Sequence, residues 1–341
     1  MVTKLIKLKD VAKEAGISVS TVSRVINHEK FVSKKVKIKV EKAVKKLNYQ
    51  PQWIARSLRT KKTNIVGLIV ASIEDYWMSS VAQNIENYFR IIKKNIILFN
   101  TGFNQKLEIE LLNLAISRGV DGIILGTVSK SGDCINEIIN KNNIPIIIID
   151  NKIDVDKADF ILVDDIDGSY RLVNHLIKEH GLKKIACIGG NLQESSGADK
   201  VLGYKKALNE NDIEINEDII KEAFWNSNIS YKVTRELFTK KEKPEAIFCS
   251  NATMAIGTVR YLNEKGIRIP DDVAVVSFDD SEFIKAFNPP LTTLARVERK
   301  VGIKAAELLE SRMTGEFRAN FKTIKISPNI IIRKSCGCKK N

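Results

Sequence analysis

Long apolar runs are missing from this 341-residue sequence. The longest, such as 65–71 and 144–149, fall far short of the roughly 18 residues that cross a bilayer, and the lysine-dotted start has no cleavable apolar segment. Both absences predict a soluble, cytoplasmic chain without membrane contact. Cysteine is scarce and odd in number, with five residues at 134, 187, 249, 336 and 338, which fits neither a disulfide framework nor a four-ligand zinc spacing. Histidine occurs only at 28, 175 and 180, so neither a metal nor another cofactor is expected. His175 and His180 flank a predicted helix end, where a solvated structural role is the expectation, and Cys336-Gly337-Cys338 is too short a motif to define a metal or redox centre. Enzyme signatures are lacking as well. No GxGxxG follows a strand (Gly189-Gly190-Asn191 is a fragment), and there is no GxxxxGK phosphate loop and no GxSxG elbow, so the chain is read as a non-enzyme.

What is present is a charge asymmetry. Residues 1–62 hold 17 Lys/Arg against Asp10, Glu14, Glu29 and Glu41, a net of +13, whereas the rest of the chain holds 38 against 37. A small basic module on a near-neutral body is the footprint of a polyanion-binding head, because each neutralised phosphate releases condensed counterions. A sequence-blind architectural DNA protein would not need the large body that follows. Hydrophobic content of 44% and charged content of 28% fit ordinary globular structure in two or three units.

The basic stretch is periodic. Leu8, Val11, Ala12 and Ala15 form the stripe of a short helix that Gly16 ends, and Ser18 can cap a second helix with Val22, Val25 and Ile26 inward. That is a helix-turn-helix plan. Ser20, Arg24 and Asn27 project opposite Val22, and Val19 lies at the exposed edge of the first turn, where side chains can meet base edges in a major groove. Arg24 stands out because its planar fork can contact guanine O6 and N7 together. A third helix is expected from Ser33 to about Asn48, with Val36, Val40, Ala43, Val44 and Leu47 inward and lysines over the remaining surface. Gln52–Arg59 can form two helical turns, too few to be stable alone, so it reads as a linker that folds on binding, and Leu58 within it as a minor-groove wedge or a packing residue.

From Asn64 onward short β-branched runs alternate with amphipathic helical stretches. Strands are expected at 65–70, 95–100, 122–125, 144–149, 161–163, 185–188, 246–249 and 273–277, with a late pair at 322–326 and 330–332. Such alternation implies parallel sheets covered on both faces, and so many strands imply two lobes with a cleft at the strand C-termini.

The run Asp10–Ser18, then Ser20–Asn27, Tyr49-Gln50-Pro51 and Ala55-Arg56-Ser57-Leu58 resembles the head and hinge of the lactose-repressor (LacI/GalR) family. The resemblance continues through Asn64–Val70, Gly119–Ile124, Ile144-Pro145, Gly203–Leu208, Ile269–Val273, Phe278–Asp280, Pro290–Thr293 and Arg333–Cys336. It implies an α/β protein: an N-terminal helix-turn-helix head (1–50) and hinge helix (51–63), then a two-lobed periplasmic-binding-protein-like core of parallel sheets (64–341). The first lobe is expected at about 64–163 and 293–322, the second at about 164–292 and 323–338.

The resemblance also implies sites and partners. DNA contacts fall on Val19, Ser20, Thr21, Arg24 and Asn27 in the head and on Ala55 and Leu58 in the hinge, reading a palindromic double-stranded operator. Effector contacts fall on Tyr76, Trp77, Asp164, Asp165, Ser196, Lys200, Trp225, Asn251 and Asp279. The expected protein is a homodimeric, ligand-responsive repressor of carbohydrate-catabolism genes; a phosphocarrier-controlled catabolite regulator and a sugar-binding protein without a regulatory role are the alternatives. Lys200 replaces the family's usual arginine, Asp165 its common asparagine, and Glu194 stands where the purine-responsive member has a basic residue, which speaks against that effector. The pocket acids favour a neutral polyhydroxy ligand, while Lys200 also suits an acidic or phosphorylated sugar.

Overall fold

A computed structural model describes residues 6–26, 32–49, 62–294, 297–315 and 320–338, and the chain divides into two compact units at Thr63 and Asn64. In the first unit, helices α1 (Leu8–Ala15), α2 (Val19–Ile26) and α3 (Lys34–Lys46) enclose Val11, Ala12, Val22, Val25, Val40, Ala43 and Tyr49. Gly16 closes α1 in the left-handed conformation, and the Ser18 hydroxyl accepts the Thr21 N–H at 3.3 Å, so the expected turn chemistry joins α1 to α2. Lys46 and Glu14, 2.6 Å apart, pin α3 against α1.

Among the described residues the second unit holds two six-stranded sheets. The first is built from β1 (Ile65–Val70), β2 (Asn95–Asn100), β3 (Gly122–Gly126), β4 (Ile146–Ile149), β5 (Asp159–Val163) and β11 (Thr323–Ile326), in the order β11-β5-β4-β3-β1-β2, all parallel. Helices α4 (Tyr76–Ile91), α5 (Gln105–Ser117), α6 (Asp133–Asn142) and α12 (Glu298–Thr314) belong to this lobe, with α12 packed on α4 and on β3, β4 and β5. The second sheet joins β6 (Ile185–Gly189), β7 (Ile220–Glu222), β8 (Ala246–Cys249), β9 (Ala274–Ser277), β10 (Thr292–Leu294) and β12 (Ile330–Ile331), in the order β12-β10-β9-β8-β6-β7, with only β12 antiparallel. Its helices are α7 (Asp165–His180), α8 (Ser195–Asn209), α9 (Ser227–Thr239), α10 (Ala252–Glu264) and α11 (Glu282–Ala286).

Strands β1, β3, β4, β5, β6, β8 and β9 are buried along their whole length, which is why they read as unbroken apolar runs rather than as alternating ones. Each wholly buried Val, Leu or Ile contributes about 1.5–3 kcal/mol relative to exposure. Edge strand β2 shows the mixed exposure of a strand with one open side.

Two lobe boundaries differ from expectation. Thr293 lies in β10, within the second sheet, and Thr323–Ile326 lies in the first sheet beside β5. Asp159 explains the latter: its buried carboxylate takes two bonds from Arg312 at 2.7 Å and the Lys322 N–H at 2.8 Å, which delivers the next residues to the open edge of β5. The chain therefore passes between lobes after β5, after β10 and after β11. The C-terminal segment then anchors in the second lobe, where the Ser335 hydroxyl donates to the Val275 carbonyl at 2.5 Å and accepts the Thr292 N–H at 2.8 Å.

Candidate functional site

The cleft lies where parallel strands of both sheets end, the place open α/β folds reserve for ligands. From the first lobe it receives Asp75, Trp77 and Met78 after β1, Phe103 after β2, Val128 after β3, and Asp150 and Asn151 after β4. The second lobe supplies Asp165, then Glu194, Ser196 and Lys200 after β6, Trp225 after β7, Asn251 after β8, and Phe278 and Asp279 after β9. About 590 Å³ of the cleft is not occupied by atoms, open solvent included.

Lys200 is the electrostatic centre. Its ammonium is 3.8 Å from Asp165 Oδ1, 5.0 Å from the centre of the Trp225 ring and 4.4 Å from that of Phe278. Burial alone would depress its pKa, but Asp165, Asp279, Asp150 and Asp75 together raise it above the ordinary lysine value, so the ammonium stays charged. The acids titrate the other way. Burial lifts Asp165 to about 7 and Asp150 to about 6 despite the attraction of Lys200, and it raises Asp279 well above the usual carboxylate range. Glu194 is also raised by burial, partly offset by the Trp225 indole N–H, which donates to it at 2.9 Å, and by Asn191. Five carboxylates thus surround one fixed cation, offering many hydrogen-bond acceptors and, where protonated, donors.

The local backbone is shaped to present these groups. Phe103, Asp150, Trp225 and Asp279 all line the cleft with φ between 57° and 71°, a left-handed conformation that non-glycine residues seldom adopt and that concentrates at functional sites. The Trp225 indole lies so close over Gly190 that an added Cβ would come within 2.2 Å of the ring, so only glycine fits there. Glu108, buried in α5, accepts Thr127 Oγ1 at 2.9 Å, the Val128 N–H at 2.7 Å and Ser129 Oγ at 2.5 Å, which fixes the loop carrying Val128.

Asn151 ties the lobes together at the cleft. Its Nδ2 donates to the Thr127 carbonyl in the first lobe at 3.0 Å, while its Oδ1 accepts the Ser196 N–H of the second lobe at 3.0 Å. Beside it the Ser195 hydroxyl accepts the Lys152 N–H at 2.6 Å.

Seven of the expected effector residues, Trp77, Asp165, Ser196, Lys200, Trp225, Asn251 and Asp279, come together in this cleft. Tyr76 and Asp164 do not line it. Tyr76 packs edge-on against Phe283 with ring centres 6.4 Å apart, and Asp164 caps α7 by accepting the Asp167 N–H at 3.4 Å. In both cases it is the next residue in the chain that lines the cleft. Asp75, Asp150, Asn151 and Phe278 are cleft residues that the sequence reading missed. The position of Asp150-Asn151 directly after the apolar run 146–149 was the available signal, since it marks a strand C-terminus.

In the head, Val19, Ser20 and Arg24 are exposed on α2, Thr21 is half-buried, and Val22 and Val25 face the core. The exposed face and the packing face are thus separated as the 3.6-residue period requires. Asn27, Ala55 and Leu58 lie outside the described residues. Among the described residues no helix is long and apolar enough to cross a membrane.

Comparison with known proteins agrees with this architecture. Residues 7–52 match the family model for bacterial regulatory proteins of the lacI family, and residues 173–336 match a periplasmic binding protein-like domain. Over 329 residues the chain is 35% identical to the HTH-type transcriptional repressor PurR of Vibrio atlanticus (strain LGP32), covering 96% of this chain and 98% of that one. The repressor of the same name from Pasteurella multocida (strain Pm70) is 32% identical over 330 residues, with the same coverage. The solved lac repressor dimer bound to operator and the anti-inducer ONPF superposes with a TM-score of 0.86 at 25% identity, covering 98% of this chain and 99% of that one. With a matching head, a matching core and relatives aligned over nearly its whole length, the chain belongs to the LacI family of transcriptional repressors, which are DNA-binding proteins and not enzymes.

Proposed function

We propose that this repressor is a homodimer whose affinity for a palindromic operator is controlled by a neutral polyhydroxylated small molecule, a sugar or sugar derivative, bound between the lobes, and that it governs carbohydrate-catabolism genes. The observation that carries the effector class is the set of five carboxylates gathered around Lys200, the one cation lining the cleft among the described residues, with the Trp225 and Phe278 rings beside it. Carboxylates accept hydroxyl hydrogens, and an indole takes the apolar face of a sugar ring. Lys200 already has its counter-charges, so an anionic sugar would enter a field that repels it.

The same two aromatic faces would also take a planar nucleobase, a reading favoured by the likeness to the repressors named PurR. Against it stands Glu194, an acid held by Trp225 and Asn191.

A ligand touching residues of both lobes stabilises one lobe arrangement over others only by its differential affinity for it. That bias would reach the operator through the linker ahead of the core, and by linkage the operator must change effector affinity by the same factor. In the head, Arg24, Ser20 and Val19 would read base edges and the lysines of α3 would contact phosphates.

A thermal-shift screen of the purified protein against sugars, sugar acids, sugar phosphates and nucleobases tests the reading. A ligand at about 100 times its Kd stabilises by roughly 2.7 kcal/mol. A neutral-sugar hit that also changes operator affinity supports the proposal. A nucleobase hit replaces the effector class, and silence across the panel shifts weight to a phosphocarrier partner.

A further inference from the structure

The end of α7 and the C-terminal segment meet in a cluster that the ligand cleft does not use. His175 and His180 of α7 and Cys336 and Cys338 of the turn after β12 place one ligand atom each within 4.8 Å of all the others. Cys338 Sγ lies 3.3 Å from His180 Nε2 and 3.6 Å from His175 Nε2, and the two imidazoles stand edge to face with centres 5.4 Å apart. A tetrahedral zinc ion, about 2.3 Å from sulfur and about 2.0–2.1 Å from nitrogen, sets those two ligand types roughly 3.6 Å apart. The two Cys338 sulfur–nitrogen separations are of that size, and the remaining pairs lie within 4.8 Å. Two sulfurs and two imidazoles, with no carboxylate among them, suit zinc and exclude the hard cations calcium and magnesium.

Gly337 makes the arrangement feasible. Its φ of 99° is open only to glycine, and a Cβ there would stand 3.3 Å from His180 Nδ1. Cys336 is buried and the other three are half-buried, so an ion would be shielded by protein on the core side. Linear spacing hid the set, because each pair lies in a different segment and the two are joined only by the fold.

We propose that His175, His180, Cys336 and Cys338 form a structural zinc site that clamps the C-terminal segment to the end of α7. Both cysteines would bind as thiolates, releasing to solvent any proton still on sulfur, and the imidazole nitrogens would donate lone pairs, giving a closed four-ligand site without an open position for chemistry. The clamped segment also carries Arg333, whose Nη1 is 2.7 Å from Asp280 Oδ1, and Ser335, which bridges β9 and β10. The site would thereby brace the strand end that presents Asp279 to the cleft.

The test uses the full chain, reduced, stripped with a chelator and titrated with Co²⁺, then with Zn²⁺. The expected result is one cobalt per chain with tetrahedral visible bands and a sulfur-to-cobalt charge-transfer band, displaced by zinc, and a melting temperature that rises on zinc loading. Cys134→Ser, at an exposed cysteine outside the cluster, should leave the spectrum unchanged. Cys338→Ser combined with His180→Ala should weaken zinc binding by at least about a hundredfold. Since the wild-type cobalt spectrum needs no variant, a folding failure in the double variant leaves the test intact. Substoichiometric or octahedral cobalt, a spectrum unchanged in the double variant, or a reduced chain that takes up no metal would each overturn the proposal.

Discussion

The Lys200 ammonium lies 3.8 Å from Asp165 Oδ1, and both side chains are almost entirely withdrawn from solvent. Lys200 stands one turn into α8 and Asp165 opens α7, so the pair joins two packed helices of the second lobe directly beneath the cleft. Removing one partner of a buried pair leaves an uncompensated charge, at about 3–5 kcal/mol. Lys200→Met should therefore destabilise the core strongly at about pH 8. Near pH 5.5 the loss should be less than half as large, because Asp165 and Asp150, lifted to about 7 and about 6, then carry protons. Urea denaturation at the two pH values reads the difference, and equal losses would contradict it.

The same shifts set the pH dependence of the unmodified protein. Between about pH 4 and pH 7 the folded chain holds a proton on Asp165 that the unfolded chain has released, so this group's contribution to stability falls as pH rises across that window. Asp150 acts in the same direction up to about 6. Asp165→Asn should flatten the decline across that window. Thermal melts from pH 4 to 8 check the slope; a steeper decline in the variant would show the assignment to be wrong.

Ligand affinity should separate the residues that line the cleft from those that do not. Trp225→Ala and Asp279→Asn should each weaken the effector found by screening by about tenfold or more, the equivalent of one lost stacking face or one lost buried hydrogen bond. Tyr76→Phe should leave affinity within about twofold, since Tyr76 packs on Phe283 outside the cleft. Calorimetric titration distinguishes the two groups.

Asn151 should govern the balance between lobe arrangements. Asn151→Ala removes acceptor Oδ1 from the Ser196 N–H and donor Nδ2 from the Thr127 carbonyl, leaving buried groups unpaired at about 1–3 kcal/mol. Because one of these bonds crosses between lobes, the variant should scatter X-rays with a larger radius of gyration when ligand-free and contract when ligand is added. An unchanged profile in both states would deny Asn151 that part.

In the head, Arg24→Ala should cost operator binding roughly 1–3 kcal/mol and relax the preference at one base pair, whereas Lys37→Ala should weaken all DNA alike and lower the salt slope by about one. Fluorescence anisotropy against operator and scrambled duplexes at several salt concentrations separates these effects. Uniform loss across sequences for Arg24→Ala would remove its reading role.

The sequence by itself determined the elements and the division of labour between them. The concentration of positive charge in residues 1–62 marked the DNA-binding end. The stripe Val11, Ala12, Val22 and Val25 fixed the head's core, and unbroken apolar runs such as 146–149 announced parallel strands buried on both faces. These properties are local, because helix and strand periods act over a few residues. Tertiary structure decided what depends on residues far apart in the chain. It assigned Thr323–Ile326 to the first sheet through Asp159, chose Asp165 over Asp164 and Trp77 over Tyr76 for the cleft, and added Asp75 and Asp150 to the acids around Lys200. It also brought two histidines of one helix to two cysteines more than 150 positions away. Burial and charge pairing arise only when the lobes have packed, so the direction in which Asp75, Asp150, Asp165 and Lys200 titrate was set by the fold rather than by residue type.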